Sequence, residues 1–219
     1  MVRLVVTDRH RRGEVGDATS GQMKSLFETE RLKLREFGKG DLDDLAAMVA
    51  DQDQMRFYPC TRTREEAFAW ITRNLVLYDE YGYGFWLIAS RATSAFLGYC
   101  GIRPLRLGGA SEIEIGWHTT KACWNQGIAT EAAIAARDLA FRRFRLPRLV
   151  AVIRPDHIAS RRVAEKIGMH YERTTVVDDD YPAVIYREDR WVTGGNIVTP
   201  SGSMTQPPVR RGASCIRPS

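Results

Sequence analysis

One feature narrows the fold of this 219-residue chain more than any other: a long amphipathic helix that opens directly behind a glycine and a strand. From Ile128 to Phe144 the polar residues Thr130, Glu131, Arg137, Asp138 and Arg142 share one face. Ala129, Ala133, Ala136, Ala140 and Phe144 are left to pack, and side chains that small let a helix lie close against a sheet. Ahead of it, Glu112 to His118 alternates as a strand, and Trp124-Asn125-Gln126-Gly127-Ile128-Ala129-Thr130 forms the junction. Gly127 and Ala129 leave the backbone open to a ligand. The first helical turn leaves amide N–H groups unpaired and gathers partial positive charge. A pyrophosphate suits that position. A single glycine before a helix is also what a plain strand-to-helix turn requires, so the surroundings have to decide.

Those surroundings alternate strand and helix. Arg31 to Arg35 alternates as a half-buried strand. Gly40-Asp41 leads into a helix carrying Leu42, Leu45, Ala46 and Val49. Thr63 and Glu66 form a capping box for a second helix with Ala67, Trp70, Ile71, Asn74 and Leu75, which Tyr81-Gly82-Tyr83-Gly84 breaks. Strands are expected at 85–89, 96–102, 112–118 and 148–153, with a hairpin turn over Ser90 to Ser94. A short helix over Ile158 to Ile167 ends at Gly168, and strands near 169–177 and 183–191 close the domain. The pattern predicts one α/β (α+β) domain over 25–192, between tails at 1–24 and 193–219. The C-terminal tail has the Gly, Ser, Pro and Thr content of a disordered segment; the N-terminal one is expected to be flexible.

The net charge of +5 comes from these tails. Residues 1–24 hold five Lys/Arg against three Asp/Glu, and 193–219 hold three Arg and no acid, so the segment between is neutral. That argues against a nucleic-acid reader, which carries its basic face on the folded part. The Arg142, Arg143, Arg145 and Arg148 group reads as a solvated helix end. No apolar run is long enough for a membrane span, and the basic N-terminus lacks the apolar core of a secretory signal, so a cytoplasmic location is expected. Cys60, Cys100, Cys123 and Cys215 have no metal-ligand spacing and read as reduced thiols. No metal is expected.

Three further stretches fall at matching distances: Glu114-Ile115-Gly116-Trp117, Arg154-Pro155-Asp156-His157-Ile158-Ala159-Ser160, and Glu165-Lys166-Ile167-Gly168-Met169. With the turn from Trp124 to Ala132, they resemble the GNAT superfamily of acyl-CoA N-acyltransferases, in its RimJ/RimL-like branch; weaker likeness runs from Glu30 to Trp191. The resemblance implies a mixed, mostly antiparallel sheet with a central splayed parallel strand pair and flanking helices. It also implies acetyl-CoA as cosubstrate. The pyrophosphate would rest on the amides of Gln126, Gly127, Ile128, Ala129 and Thr130. Backbone of Ile115, Gly116 and Trp117 would pair with the pantetheine arm, and His157 and Ser160 would complete the cofactor contacts. His157 stands where the family has Asn, and Ala164 where many members have Tyr.

Acyl transfer to an amine needs a group to take a proton from the ammonium, a donor to the carbonyl oxygen, and an acid for the leaving thiolate. Glu112 and Glu114 fall on one face of a strand. Either can act as base, directly or through a water, and either can instead pair with an arginine; Glu114 matches the family motif better. An amide near Gly116-Trp117 is the candidate oxyanion donor, and Ser160 the candidate acid. Cys123 reads as packing, His118 as a strand end, and Glu131 as a structural residue of the helix's first turn. The expected function is direct acetyl transfer to a primary amine, on a protein N-terminus or a small molecule. The alternative is a non-catalytic acyl-CoA sensor. A monomer or homodimer fits either. The loops at 51–63 and 81–84 are expected to select the acceptor.

Overall fold

Two consecutive glycines set the register of the sheet. Gly108 and Gly109 both have positive φ, 57° and 83°, as a two-residue hairpin turn with a right-handed twist demands. Strand β4 (Phe96–Leu107) enters that turn and β5 (Ala110–Thr119) leaves it. Counting outwards from the turn puts Arg103 opposite Glu114, Gly101 opposite Gly116 and Tyr99 opposite His118. In this structure, a computed structural model, residues 27–177 and 180–190 are described. The expectations for 1–24, for 193–219 and for Trp191 concern residues outside those.

The remaining strands are β1 (Phe27–Glu28), β2 (Leu32–Arg35), β3 (Phe85–Ser90), β6 (Arg148–Ile153), β7 (His170–Val177) and β8 (Tyr181–Asp189). They form one eight-stranded sheet in the order β1-β2-β3-β4-β5-β6-β8-β7. Every pairing is antiparallel except β5 with β6. The helices are α1 (Leu42–Ala50), α2 (Gln52–Met55), α3 (Arg64–Tyr81), α4 (Ile128–Arg142) and α5 (Ile158–Lys166). Helix α4 buries Ala132, Ala133, Ala135, Ala136, Leu139 and Ala140 in one core with Trp86, Ile102, Ile115 and Leu149. A second core, around Phe37, Leu45, Ile71 and Leu87, fixes α1 and α3.

Helix α3 is bounded as its sequence requires. Thr63 Oγ1 accepts from the Glu66 amide and Glu66 accepts from the Thr63 amide. Gly82, at φ 73°, closes it by donating to the Tyr78 carbonyl. Strand β4 runs five residues past the expected end at Ile102. Pro104 has no N–H to donate, and its position opposite Ile113 is accommodated within the ladder. The two-residue β1 and four-residue α2 are too short to leave a periodicity in sequence. Cys100 and Cys123 are buried free thiols. Cys60 departs from the expectation of reduced thiols, being disulfide-bonded.

Candidate active site

The parallel pair at the centre of the sheet barely pairs. Strands β5 and β6 share a single register position, Glu114 with Val150. Beyond it Ile115, Gly116 and Trp117 run on against β4 alone. Backbone groups on the β6 side of that segment are therefore open to a ligand.

At the end of β5 a single 3-10 turn, Lys121–Cys123, leads to the opening of α4. Asn125 and Gly127 both take left-handed backbone conformations, at φ 61° and 77°. Alternation of that kind turns successive N–H groups inward to form an anion-binding concavity. No side chain caps α4, so the first-turn amides keep their donors. The turn is held from outside. Arg31 Nη1 donates to the Gln126 carbonyl at 2.9 Å, and Arg31 Nε donates to Glu131 at 2.6 Å. Thr29 Oγ1 donates to the other oxygen of Glu131. Glu131 thus has the structural role expected of it. The Gln126 side chain bonds the Ala122 carbonyl, leaving its amide for a ligand, while Ile115 and Ile128 bury their side chains and can offer backbone only.

On the face of β5 covered by α4 and α5, Trp117 Nε1 donates to Ser160 Oγ at 3.1 Å. The Ser160 amide donates to His157 Nδ1, and the His157 ring stacks on Phe57 at 3.8 Å. Burial, helped by the charge of Arg56, pushes the His157 pKa down to about 4. The ring is neutral near pH 7, and because Nδ1 accepts, Nε2 carries the hydrogen. Trp117, Ser160 and His157 therefore form one hydrogen-bonded row that ends in two donors, Ser160 Oγ–H and His157 Nε2–H.

The opposite face of β5 carries Glu112, Glu114, Gly116 and His118. Glu114 is buried, and its Oε2 accepts from Arg103 Nε at 2.6 Å. Glu112 pairs with Arg148 at 3.5 Å. Both carboxylates are thus tied to an arginine, although Glu114 Oε1 has no hydrogen bond to another described residue. The two candidate bases share a face, as alternation requires; Ser160 lies across the strand from them.

His118 exceeds its sequence reading, and Tyr58, Tyr99 and Arg103 join this face without having been singled out. His118 is more than a strand end. Its Nε2 donates to the Gln54 carbonyl at 3.1 Å, and Nδ1 lies 3.4 Å from the Tyr99 hydroxyl. Burial holds its pKa down to about 4. Tyr58, 38% exposed, stacks on His118, and its hydroxyl feels Tyr99, Glu114 and Arg103. Burial raises the pKa of both phenols, so both stay protonated. The hairpin count from Gly108-Gly109 was the signal that could have found Tyr99 and Arg103. Tyr58 arrives from the 51–63 loop and leaves no such signal. Among the described residues no group of three or more His, Cys, Asp or Glu is placed to hold a metal, and no helix is long and apolar enough to cross a membrane.

Comparison with known proteins gives the same picture. The family described as acetyltransferase (GNAT) domain matches residues 31–170. The Bacillus subtilis protein YkkB is 34% identical over 152 residues, 69% of this chain and 88% of YkkB. The N-acetyltransferase YnaD of the same organism is 32% identical, over 66% of this chain and 82% of its own. An acetyltransferase structure from Agrobacterium tumefaciens superposes with a TM-score of 0.66 at 26% identity, covering 81% of this chain and all of that one. RimL, a ribosomal L7/L12 α-N-protein acetyltransferase solved with coenzyme A, shares the fold at 21% identity and a TM-score of 0.60, over 74% of this chain and 96% of its own.

Proposed function

This chain belongs to the GNAT family of acetyl-CoA-dependent acyltransferases, and we propose that it transfers acetyl from acetyl-CoA directly to a primary amine. The observation that carries the reading is the junction of the β5–β6 splay with the uncapped, doubly left-handed turn before α4. It offers backbone donors for a pyrophosphate beside backbone groups free to pair with a pantetheine arm. The amides of Gln126, Gly127, Ile128, Ala129 and Thr130 hold the phosphates. Ile115, Gly116 and Trp117 supply the pairing edge, and His157 Nε2–H and Ser160 donate hydrogen bonds at its far side. The resemblance to the RimJ/RimL-like branch supports a protein N-terminus or a small amine as acceptor.

The amine enters on the Glu114 face. Glu114 Oε1 receives its proton, directly or through a water, while Arg103 fixes Oε2. Glu112 is two residues further from the splay and is the second candidate. The nitrogen bonds to the acetyl carbon, an amide of Gly116 or Trp117 steadies the carbonyl oxygen, and the carbon–sulfur bond breaks. Ser160 Oγ–H, across the strand, donates a hydrogen bond to the departing thiolate, which becomes a thiol with the second proton that the nitrogen releases on becoming an amide.

Release of free thiol from acetyl-CoA with a panel of amines and peptide N-termini tests the reading. Glu114→Gln is expected to lower kcat/KM at least about 100-fold, with acetyl-CoA affinity kept, because general-base catalysis contributes about that much or more. Glu112→Gln is expected to change it little. Tight acetyl-CoA binding without thiol release for any amine would instead mark the chain as a sensor, and a full rate in the Glu114→Gln variant would remove Glu114 as the base.

A further inference from the structure

The face on which the amine enters carries more positive charge than its own carboxylates neutralise. Arg103 is largely buried, with 23% of its side chain exposed, and spends only Nε, on Glu114. Its two Nη groups make no hydrogen bond to a described residue. Arg62, in the loop just ahead of α3, is matched by Glu66 at 3.2 Å. Arg73 has no ion pair or hydrogen bond among the described residues. It lies on the same stripe of α3 as Glu66 and Trp70, seven and three positions along. Arg73 itself is exposed; desolvation by its neighbours and the charges of Arg103 and Arg62 depress its pKa. Like charges gathered on one face destabilise one another unless something negative joins them.

The walls of this place are suited to a ligand. Trp70 packs against both Phe85 and Tyr99, with centroids 5.8 and 4.9 Å apart. The Arg103 guanidinium sits 5.9 Å above the Phe85 ring. The protonated hydroxyls of Tyr58 and Tyr99 add neutral donors beside it. An apolar floor with a few convergent donors is the usual make-up of a small-ligand site.

We propose that the acceptor bears a carboxylate a few bonds from its primary amine, and that Arg103 and Arg73 bind this carboxylate while the amine reaches Glu114 and the splay. Arginine is the residue suited to such a contact, because its planar fork matches a carboxylate. Arg103 stands opposite Glu114, two residues from Gly116, so the anion and the reacting carbonyl lie roughly 7 Å apart along the strand. The inference rests on the acetyl-transfer reading and adds the class of acceptor to it.

The test uses the full chain, saturating acetyl-CoA and acceptors matched in shape but not in charge. One arm compares β-alanine with propylamine. The other compares the amidated dipeptides Ala-Glu and Ala-Gln, and so distinguishes a small amino acid from an acidic N-terminus. In one arm or both, the anionic member is expected to have a KM lower by about ten-fold or more, the scale of one charge-assisted pair. Arg73→Gln is expected to erase most of that preference and to leave acetyl-CoA binding in place. Equal KM values within both pairs, or a preference that survives Arg73→Gln, would overturn the proposal. Calorimetric titration of the CoA-loaded protein with glutarate separates the two readings. Glutarate binding that depends on Arg73, with no amine turned over, keeps the anion site and removes acetyl transfer. Turnover with no charge preference keeps acetyl transfer and removes the anion site.

Discussion

His118 shows how much a single side chain can hold. Neutral imidazole has one donor and one acceptor, and here both are used, Nε2–H to the Gln54 carbonyl and Nδ1 towards the Tyr99 hydroxyl. It joins α2 to the sheet, but only while unprotonated. Burial holds its folded pKa near 4, whereas an exposed histidine takes up its proton near 6.5. Between those values the unfolded chain binds more protons than the folded one, so stability rises with pH through the window and is lost as pH falls from about 6.5 to 4. The contribution is on the order of 3 kcal/mol for His118; His157, more open to solvent, adds a smaller share in the same direction. Urea midpoints measured across that range are expected to fall steadily below about pH 6.5. His118→Asn is expected to flatten the fall while lowering the plateau; an unchanged slope would mean that other groups carry it.

Among the elements, the β4–β5 hairpin shows what was legible in sequence and what was not. In sequence Gly108-Gly109 reads only as a break before the strand, while the alternation of Glu112 to Glu114 placed both carboxylates on one face. Only the register, read outwards from the turn, reveals that Arg103 meets Glu114. The expected strand end at Ile102 left Arg103 outside the ladder. Tight contacts between strands were equally silent. A Cβ on Gly101 would lie 2.2 Å from the Gly84 carbonyl oxygen, and one on Gly98 would lie 2.1 Å from that of His118. Both obstacles are backbone, so the ladder itself would have to move. A Cβ on Gly40, in the turn before α1, meets nothing within 4 Å. Gly101→Ala is therefore expected to destabilise by about 3 kcal/mol or more, on the scale of severe overpacking. Gly40→Ala is expected to lie between neutral and about 1 kcal/mol stabilising, because it only restricts the unfolded chain. Thermal unfolding of the two variants beside the parent checks the contrast, and equal losses would show that the spacing of β3 and β4 does not limit position 101.

Across the whole molecule, the candidate site is assembled from parts far apart in sequence. The turn from Trp124 to Thr130 was legible because a glycine, a helix start and two later motifs stood at fixed distances. Its support was not, since Thr29 and Arg31 approach Glu131 from a hundred residues away. Helix α4 crosses the sheet so that its first turn meets the loop between β1 and β2. Arg31 then holds the Gln126 carbonyl outwards, and the amides on the other side of the turn keep their direction. The Arg31–Glu131 pair is half open to solvent, with 48% and 20% of the side chains exposed, so its own contribution to stability is about 1 kcal/mol at most. Its larger effect belongs to the liganded protein. A ligand at 100 times its dissociation constant stabilises the fold by about 2.7 kcal/mol. If Arg31→Ala weakens acetyl-CoA binding about ten-fold by loosening the turn, the same concentration gives roughly 1.4 kcal/mol less. For a domain of this size that is a difference of about 3–6 °C in the Tm increment. The expected outcome is a nearly unchanged Tm without ligand and a clearly smaller rise with acetyl-CoA. An equal rise in parent and variant would show that the turn keeps its shape without Arg31, leaving the left-handed Asn125 and Gly127 to hold it alone.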